Sequence, residues 1–143
     1  MEQLRALQPG ERLTLSVSAN GSEWNGVTNM IGALYQLVDN GQVCSGLVNG
    51  AAPRTAVGLK RDGSLVLYTI DGRQSGYSIG ATLTQVAQRM VELGCVTALS
   101  LDGGGSTAMV ATSPDSTVST LVDKPSGGSE RAVTNHIFLV ADS

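Results

Sequence analysis

The sequence predicts an α+β domain: a mixed, mostly antiparallel sheet curled around one main amphipathic helix at about residues 83–93. Three observations predict it. Leu83, Val86, Ala87, Met90 and Val91 recur at the i, i+3, i+4, i+7, i+8 spacing that gives a helix one apolar face. Short runs rich in Val, Leu, Ile and Thr alternate with turn-forming pairs, the pattern of strands joined by hairpins. No segment repeats and no linker divides the 143 residues, so one domain around one core is expected.

The elements follow in chain order. Pro9-Gly10 is a turn before Arg12 to Ala19, where Leu13, Leu15 and Val17 alternate with Thr14, Ser16 and Ser18 as in a half-buried strand. Asn20 to Gly26 is polar and loop-like. Val27 to Val38 mixes apolar residues with Gly32 and reads as a short helix running into a strand, after which Asn40-Gly41 offers a tight turn toward Gln42-Val43. Thr55 to Lys60 and Ser64 to Ile70 flank Asp62-Gly63, the strongest hairpin signal in the chain. Thr82 and Gln85 can form a capping box for the helix, and Gly94 supplies the left-handed residue that ends it. Met90 lies on the apolar stripe and is expected to fill core. Val96 to Leu101 reads as a buried strand that delivers Asp102, Ala108 to Thr112 as a strand-like run ended by Pro114, and His136 to Val140 as a second buried strand. Thr112 to Thr120 and Lys124 to Ser129 are Ser/Gly/Pro-rich loops.

Composition removes several function classes. Nine basic and twelve acidic residues give a net charge of −3 without a basic run, which argues against nucleic acid as a partner. No stretch of 18 apolar residues could span a bilayer, and Met1 to Arg5 begins no apolar leader, so neither a membrane span nor a signal peptide is expected in this chain. Cys44 and Cys95 belong to no metal-binding or redox spacing, and the sequence leaves open whether they are bridged.

The run Asp102-Gly103-Gly104-Gly105-Ser106-Thr107 carries the chemistry. Consecutive glycines are entropically costly, so three together point to a backbone brought close to something, and the amides of such a turn can converge on an anion. A phosphate loop of the nucleotide-binding kind requires a helix directly after it. Here a strand-like run follows, which demotes nucleotide binding. Asp102 could also hold a divalent cation, but no second acidic ligand stands at a recognisable spacing, so no cofactor or metal is expected.

From Arg54 to the C-terminus the chain resembles the phosphodiester glycosidase family. The matching pieces are Arg54-Thr55-Ala56-Val57-Gly58, Asp62-Gly63, Asp71-Gly72-Arg73-Gln74, Gly80-Ala81-Thr82-Leu83, Leu101 through Thr107, and Lys124-Pro125-Ser126 followed by Glu130 to Asn135. The resemblance implies hydrolysis of the glycosidic bond of a sugar-1-phosphodiester, releasing free sugar and a phosphomonoester. It also implies a phosphorylated carbohydrate substrate and a bacterial cell-envelope or other extracytoplasmic setting. Arg54 and Arg131 are the expected phosphate ligands, since a planar guanidinium can grip two phosphate oxygens at once. Asp102, Asp71 and Glu130 are the candidate catalytic carboxylates, because glycosyl transfer to water uses a carboxylate at the anomeric carbon and a second to protonate the leaving oxygen. Gly103, Gly104, Gly105, Ser106, Thr107 and Asn135 complete the candidate substrate-binding set. His136 opens an apolar strand away from any Ser-His-Asp pattern and is expected to be structural.

The chain also departs from the family. Members carry an upstream Asn-Gly-Gly-Phe-Phe type motif where this sequence has Asn49-Gly50-Ala51-Ala52, and a Gly-Gly-Gly-Pro stretch where it has Ile31-Gly32-Ala33-Leu34-Tyr35. These departures lead to the expectation that the chain is the C-terminal part of a larger catalytic domain. They keep open a non-catalytic alternative, a module binding phosphorylated glycan or cell-wall polymer. Exposed sheet edges likewise leave homo-oligomerisation open.

Overall fold

The computed structural model of the chain describes residues 8–12, 14, 20–134 and 136–140. They divide into two compact units at Ile31/Gly32. In the first, a 3₁₀ turn at Ser22–Trp24 lies in otherwise irregular chain. Most of the strand expected at Arg12 to Ala19 falls outside the described residues.

The second unit holds a five-stranded sheet built from β1 (Tyr35–Asp39), β2 (Gln42–Val43), β3 (Arg54–Lys60), β4 (Leu65–Ile70) and β5 (Cys95–Ser100), in the order β2-β1-β5-β3-β4. All its pairings are antiparallel, and β5 lies in the middle between β1 and β3. Two of the turns follow directly from residue chemistry. Asn40 and Gly41 both take positive φ, 49° and 76°, which matches the twist of the strands they join. At the β3–β4 hairpin, Asp62 accepts from the Ser64 N–H at 2.9 Å and Gly63 takes φ 86°.

Helix α1 (Leu83–Glu92) covers one face of this sheet, which makes the fold α+β as the periodicity predicts. The Thr82 side chain accepts from the Gln85 N–H at 3.2 Å while the Gln85 side chain accepts from the Thr82 N–H at 2.9 Å, so the capping box is complete. Leu83, Val86, Ala87 and Met90 are fully buried against Leu37, Val38, Ala56 and Ala98. The approach is close enough to need Gly58 on β3, where a Cβ would fall 2.5 Å from Met90 Cε and 2.6 Å from Cys95 Sγ. Both cysteines are free.

Three expectations change. Val27 to Leu34 forms no helix; the chain there carries no regular secondary structure, and the Leu34 N–H bonds the Ser100 carbonyl at 2.9 Å, so the sheet claims the end of this segment. The loop expected at Thr112 to Thr120 is the turn of a separate hairpin, β6 (Val110–Thr112) with β7 (Ser119–Leu121). The segment His136 to Val140 is not a strand: among the described residues no backbone pairs with it to complete a ladder, and Phe138 and Val140 stand 75% and 87% exposed.

Candidate functional site

Strand β5 ends at Ser100, and the chain then turns through Asp102-Gly103-Gly104-Gly105-Ser106 beside the start of β3. Backbone bonds fix this bend in place. The Leu101 N–H donates to the Thr55 carbonyl at 3.0 Å and the Gly104 N–H to the Pro53 carbonyl at 2.9 Å. The glycines permit the approach: a Cβ on Gly103 would lie 2.7 Å from the Pro53 oxygen, and Gly104 takes φ 61°.

Beside the bend is an open cleft of about 290 Å³. Its lining includes Arg54, Arg73 and Arg131 together with Asp102, the three glycines and, on the apolar side, Leu34 and Tyr35. Each arginine arrives from a different part of the chain. Arg54 opens β3, where its Nε donates to the Ala81 carbonyl at 3.0 Å and its Nη2 to the Gly50 carbonyl. Burial and the neighbouring Arg73 charge hold Arg54 below the ordinary guanidinium range. Arg73 sits in the turn after β4 at φ 57°, with Nη1 2.9 Å from where a Cβ on Gly104 would be. Arg131 comes from the C-terminal segment; its Nη2 donates to Ser106 Oγ and lies 3.5 Å from Asp102 Oδ2.

Both Asp102 oxygens are engaged. Oδ1 accepts from the Gly103 N–H at 2.9 Å, and Oδ2 accepts from the Ser106 hydroxyl at 2.6 Å. The carboxylate is thus oriented from its own turn while most of its surface stays open, its side chain being 70% exposed. Among the described residues no group of three His, Cys, Asp or Glu side chains could hold a metal ion.

The structure brings Arg54, Asp102, Gly103, Gly104, Gly105 and Arg131 together, with Ser106 bonded to Asp102 and Arg131. It does not bring Thr107, Asp71 or Glu130 into the cleft lining. Thr107 is buried, with its hydroxyl accepting from Thr55 Oγ1 at 3.2 Å. Asp71 accepts from the Tyr77 hydroxyl at 2.8 Å and from the Lys124 N–H at 2.9 Å, and this raises the Tyr77 phenol above its ordinary pKa. Asp71 therefore ties the 71–80 turn to the loop at Lys124. Glu130 is exposed beside Arg131, and Asn135 lies outside the described residues. His136 packs its ring 5.5 Å from that of Phe138.

The family model described as phosphodiester glycosidase matches residues 2–140. The chain belongs to the phosphodiester glycosidase family. The chain is 38% identical over 92 residues to the SPbeta prophage-derived uncharacterized protein YomE of Bacillus subtilis, a match covering 64% of the chain and 13% of YomE. It is 39% identical over 66 residues to human N-acetylglucosamine-1-phosphodiester alpha-N-acetylglucosaminidase, covering 46% of the chain and 12% of that enzyme. The catalytic domain of the zebrafish enzyme, solved in a form auto-inhibited by its pro-peptide, superposes with a TM-score of 0.53 at 25% identity, over 67% of this chain and 34% of that one. A hypothetical protein from Synechocystis superposes with a TM-score of 0.50 at 28% identity, over 68% of this chain and 18% of that one. The chain thus spans about an eighth of the length of the curated relatives it matches.

Arg73 and Tyr35 are among the cleft residues that sequence reasoning missed. Arg73 had a signal, since it stands inside the family piece Asp71-Gly72-Arg73-Gln74, but what aims it at Gly104 is a left-handed backbone that no local pattern announces. Tyr35 stands in the stretch that departs from the family and had no signal.

Proposed function

We propose that this chain carries the cleft of a hydrolase that cleaves the glycosidic bond of a sugar-1-phosphodiester, releasing free sugar and a phosphomonoester. The observation that carries the reading is the meeting of three guanidinium groups and one open carboxylate around a glycine bend. Guanidinium forks suit a phosphate, and they hold it where the adjoining anomeric carbon can face Asp102. Asp102 then orients or replaces the attacking water, Ser106 and Arg131 fix its direction, and the leaving phosphate departs into the arginines. Glu130, next to Arg131 in the chain, is the candidate second acid. Asp71 serves this reading indirectly, by fixing the turn that presents Arg73. The extracytoplasmic setting belongs to the same proposal and rests on family membership.

The test is release of reducing sugar from N-acetylglucosamine-1-phosphate methyl diester. Asp102→Asn is expected to lower turnover by about 10²-fold or more while the melting temperature stays near that of the parent. Unchanged turnover in the folded variant would remove Asp102 from the chemistry. One observation favours a second reading, a binding module: among the described residues Asp102 is the sole carboxylate in the cleft lining. Binding of the diester with no sugar release by the parent chain would select it.

A further inference from the structure

We propose that the cleft is matched to a dianionic phosphate, so that it holds a phosphomonoester product more firmly than a phosphodiester substrate and is restrained by that product. The inference rests on the reading above that the cleft receives the phosphate group, and it adds which ionic form the cleft prefers.

The argument is a charge balance at close quarters. The charged groups facing the cleft are Arg54 from β3, Arg73 from the turn after β4, Arg131 from the C-terminal segment and Asp102 from the end of β5, with the Tyr35 phenol of β1 beside them. Asp102 lies within ion-pair distance of Arg131, and among the described residues neither Arg54 nor Arg73 has a carboxylate partner. Three cations against one anion leave two positive charges. Like charges held together in this way are unfavourable unless an anion completes the site, and burial together with the neighbouring Arg73 charge holds Arg54 below the ordinary guanidinium range. Arg54 cannot swing away to relieve the repulsion, because its Nε and one Nη are bonded to the Ala81 and Gly50 carbonyls. Arg73 is held by its turn, whose Asp71 and Gln74 side chains are bonded to the Lys124 backbone.

A phosphodiester brings one negative charge to this cleft. Hydrolysis converts it to a phosphomonoester, whose second ionisation lies at about pH 6, so that above this pH the product carries nearly two. The product is therefore the better electrostatic match, and its advantage should vanish when it is protonated to a monoanion. Arginine keeps its charge throughout this range.

Isothermal titration calorimetry of the 143-residue chain with methyl phosphate and with dimethyl phosphate, at constant ionic strength, tests this directly. Comparing the two probes at each pH cancels protein titrations that affect both alike. At about pH 8 methyl phosphate is expected to bind about tenfold or more tightly than dimethyl phosphate, and at about pH 5, below the second ionisation, the ratio should fall to within about twofold. Arg73→Gln should lower the ratio at high pH and Arg73→Lys should retain most of it, both judged on variants whose thermal melts match the parent. A ratio near unity at both values, or one that Arg73→Gln leaves unchanged, overturns the inference. Equal binding of the two probes alongside sugar release refutes product restraint and leaves the hydrolase standing. Binding of neither probe removes both this inference and the phosphate cleft beneath the proposed function.

Discussion

Gly103 and Gly104 adjoin in the bend but exclude a side chain for different reasons. At Gly103 the obstacle is backbone: an added methyl would sit 2.7 Å from the Pro53 carbonyl oxygen, the same oxygen that accepts the Gly104 N–H. Nothing there can rotate aside, so β3 and the bend must separate. At Gly104 the obstacle is the end of the Arg73 side chain, 2.9 Å from the added atom, which can move. Gly103→Ala is therefore expected to destabilise the fold by about 1–3 kcal/mol through overpacking. Gly104→Ala should cost about 1–2 kcal/mol from the left-handed backbone and, in addition, displace the Arg73 guanidinium from the cleft. Urea midpoints and methyl phosphate affinity, measured on both variants, separate the two effects. Affinity at the parental level in Gly104→Ala would show that Arg73 is not held against this glycine in solution.

At the level of elements, what could be read from the sequence was whatever a few adjacent residues decide among themselves. Thr82 with Gln85 and the apolar stripe from Leu83 to Met90 specify α1 locally, and Asn40-Gly41 and Asp62-Gly63 specify their hairpins. The same apolar pattern misleads where burial needs a distant partner, as at His136 to Val140, and where the sheet recruits backbone, as at Leu34. The cleft divides in the same way. Asp102 and its glycines are visible as a run, whereas the convergence of Arg73 on them depends on a turn held from residue 124. The β3–β4 turn also makes an acid-range prediction. The Ser64 backbone N–H, above other causes, lowers Asp62 from the ordinary carboxylate value of 3.8. A depressed folded-state pKa contributes stability that is present above the unfolded value and lost as pH falls through the folded one. Asp62→Asn keeps an acceptor oxygen but cannot titrate, so its stability should fall less steeply than the parent's below about pH 4. Urea denaturation across that range tests it, and parallel acid profiles for the two proteins would count against the hydrogen bond as the source.

Across the whole molecule the arginines at 54, 73 and 131 reach one cleft from the first residue of β3, the turn after β4 and the segment beyond β7, so the proposed anion site is complete only when these regions are folded together. An unfolded chain cannot reproduce that convergence, and a phosphate that binds the cleft must stabilise the folded state by mass action. At a methyl phosphate concentration one hundred times its dissociation constant the stabilisation is about 2.7 kcal/mol. For a chain of this size, that corresponds to a rise in melting temperature of roughly 5–10 °C. Arg73→Gln, measured at the same absolute concentration, should give a smaller rise because fewer of its molecules are occupied. The shift should also shrink as sodium chloride is added, since the cleft is open and its guanidinium groups are within reach of screening ions. A melting temperature that does not respond to methyl phosphate at any concentration would mean that the three arginines share a surface without forming a site. A response that Arg73→Gln leaves untouched would place the phosphate elsewhere on the molecule.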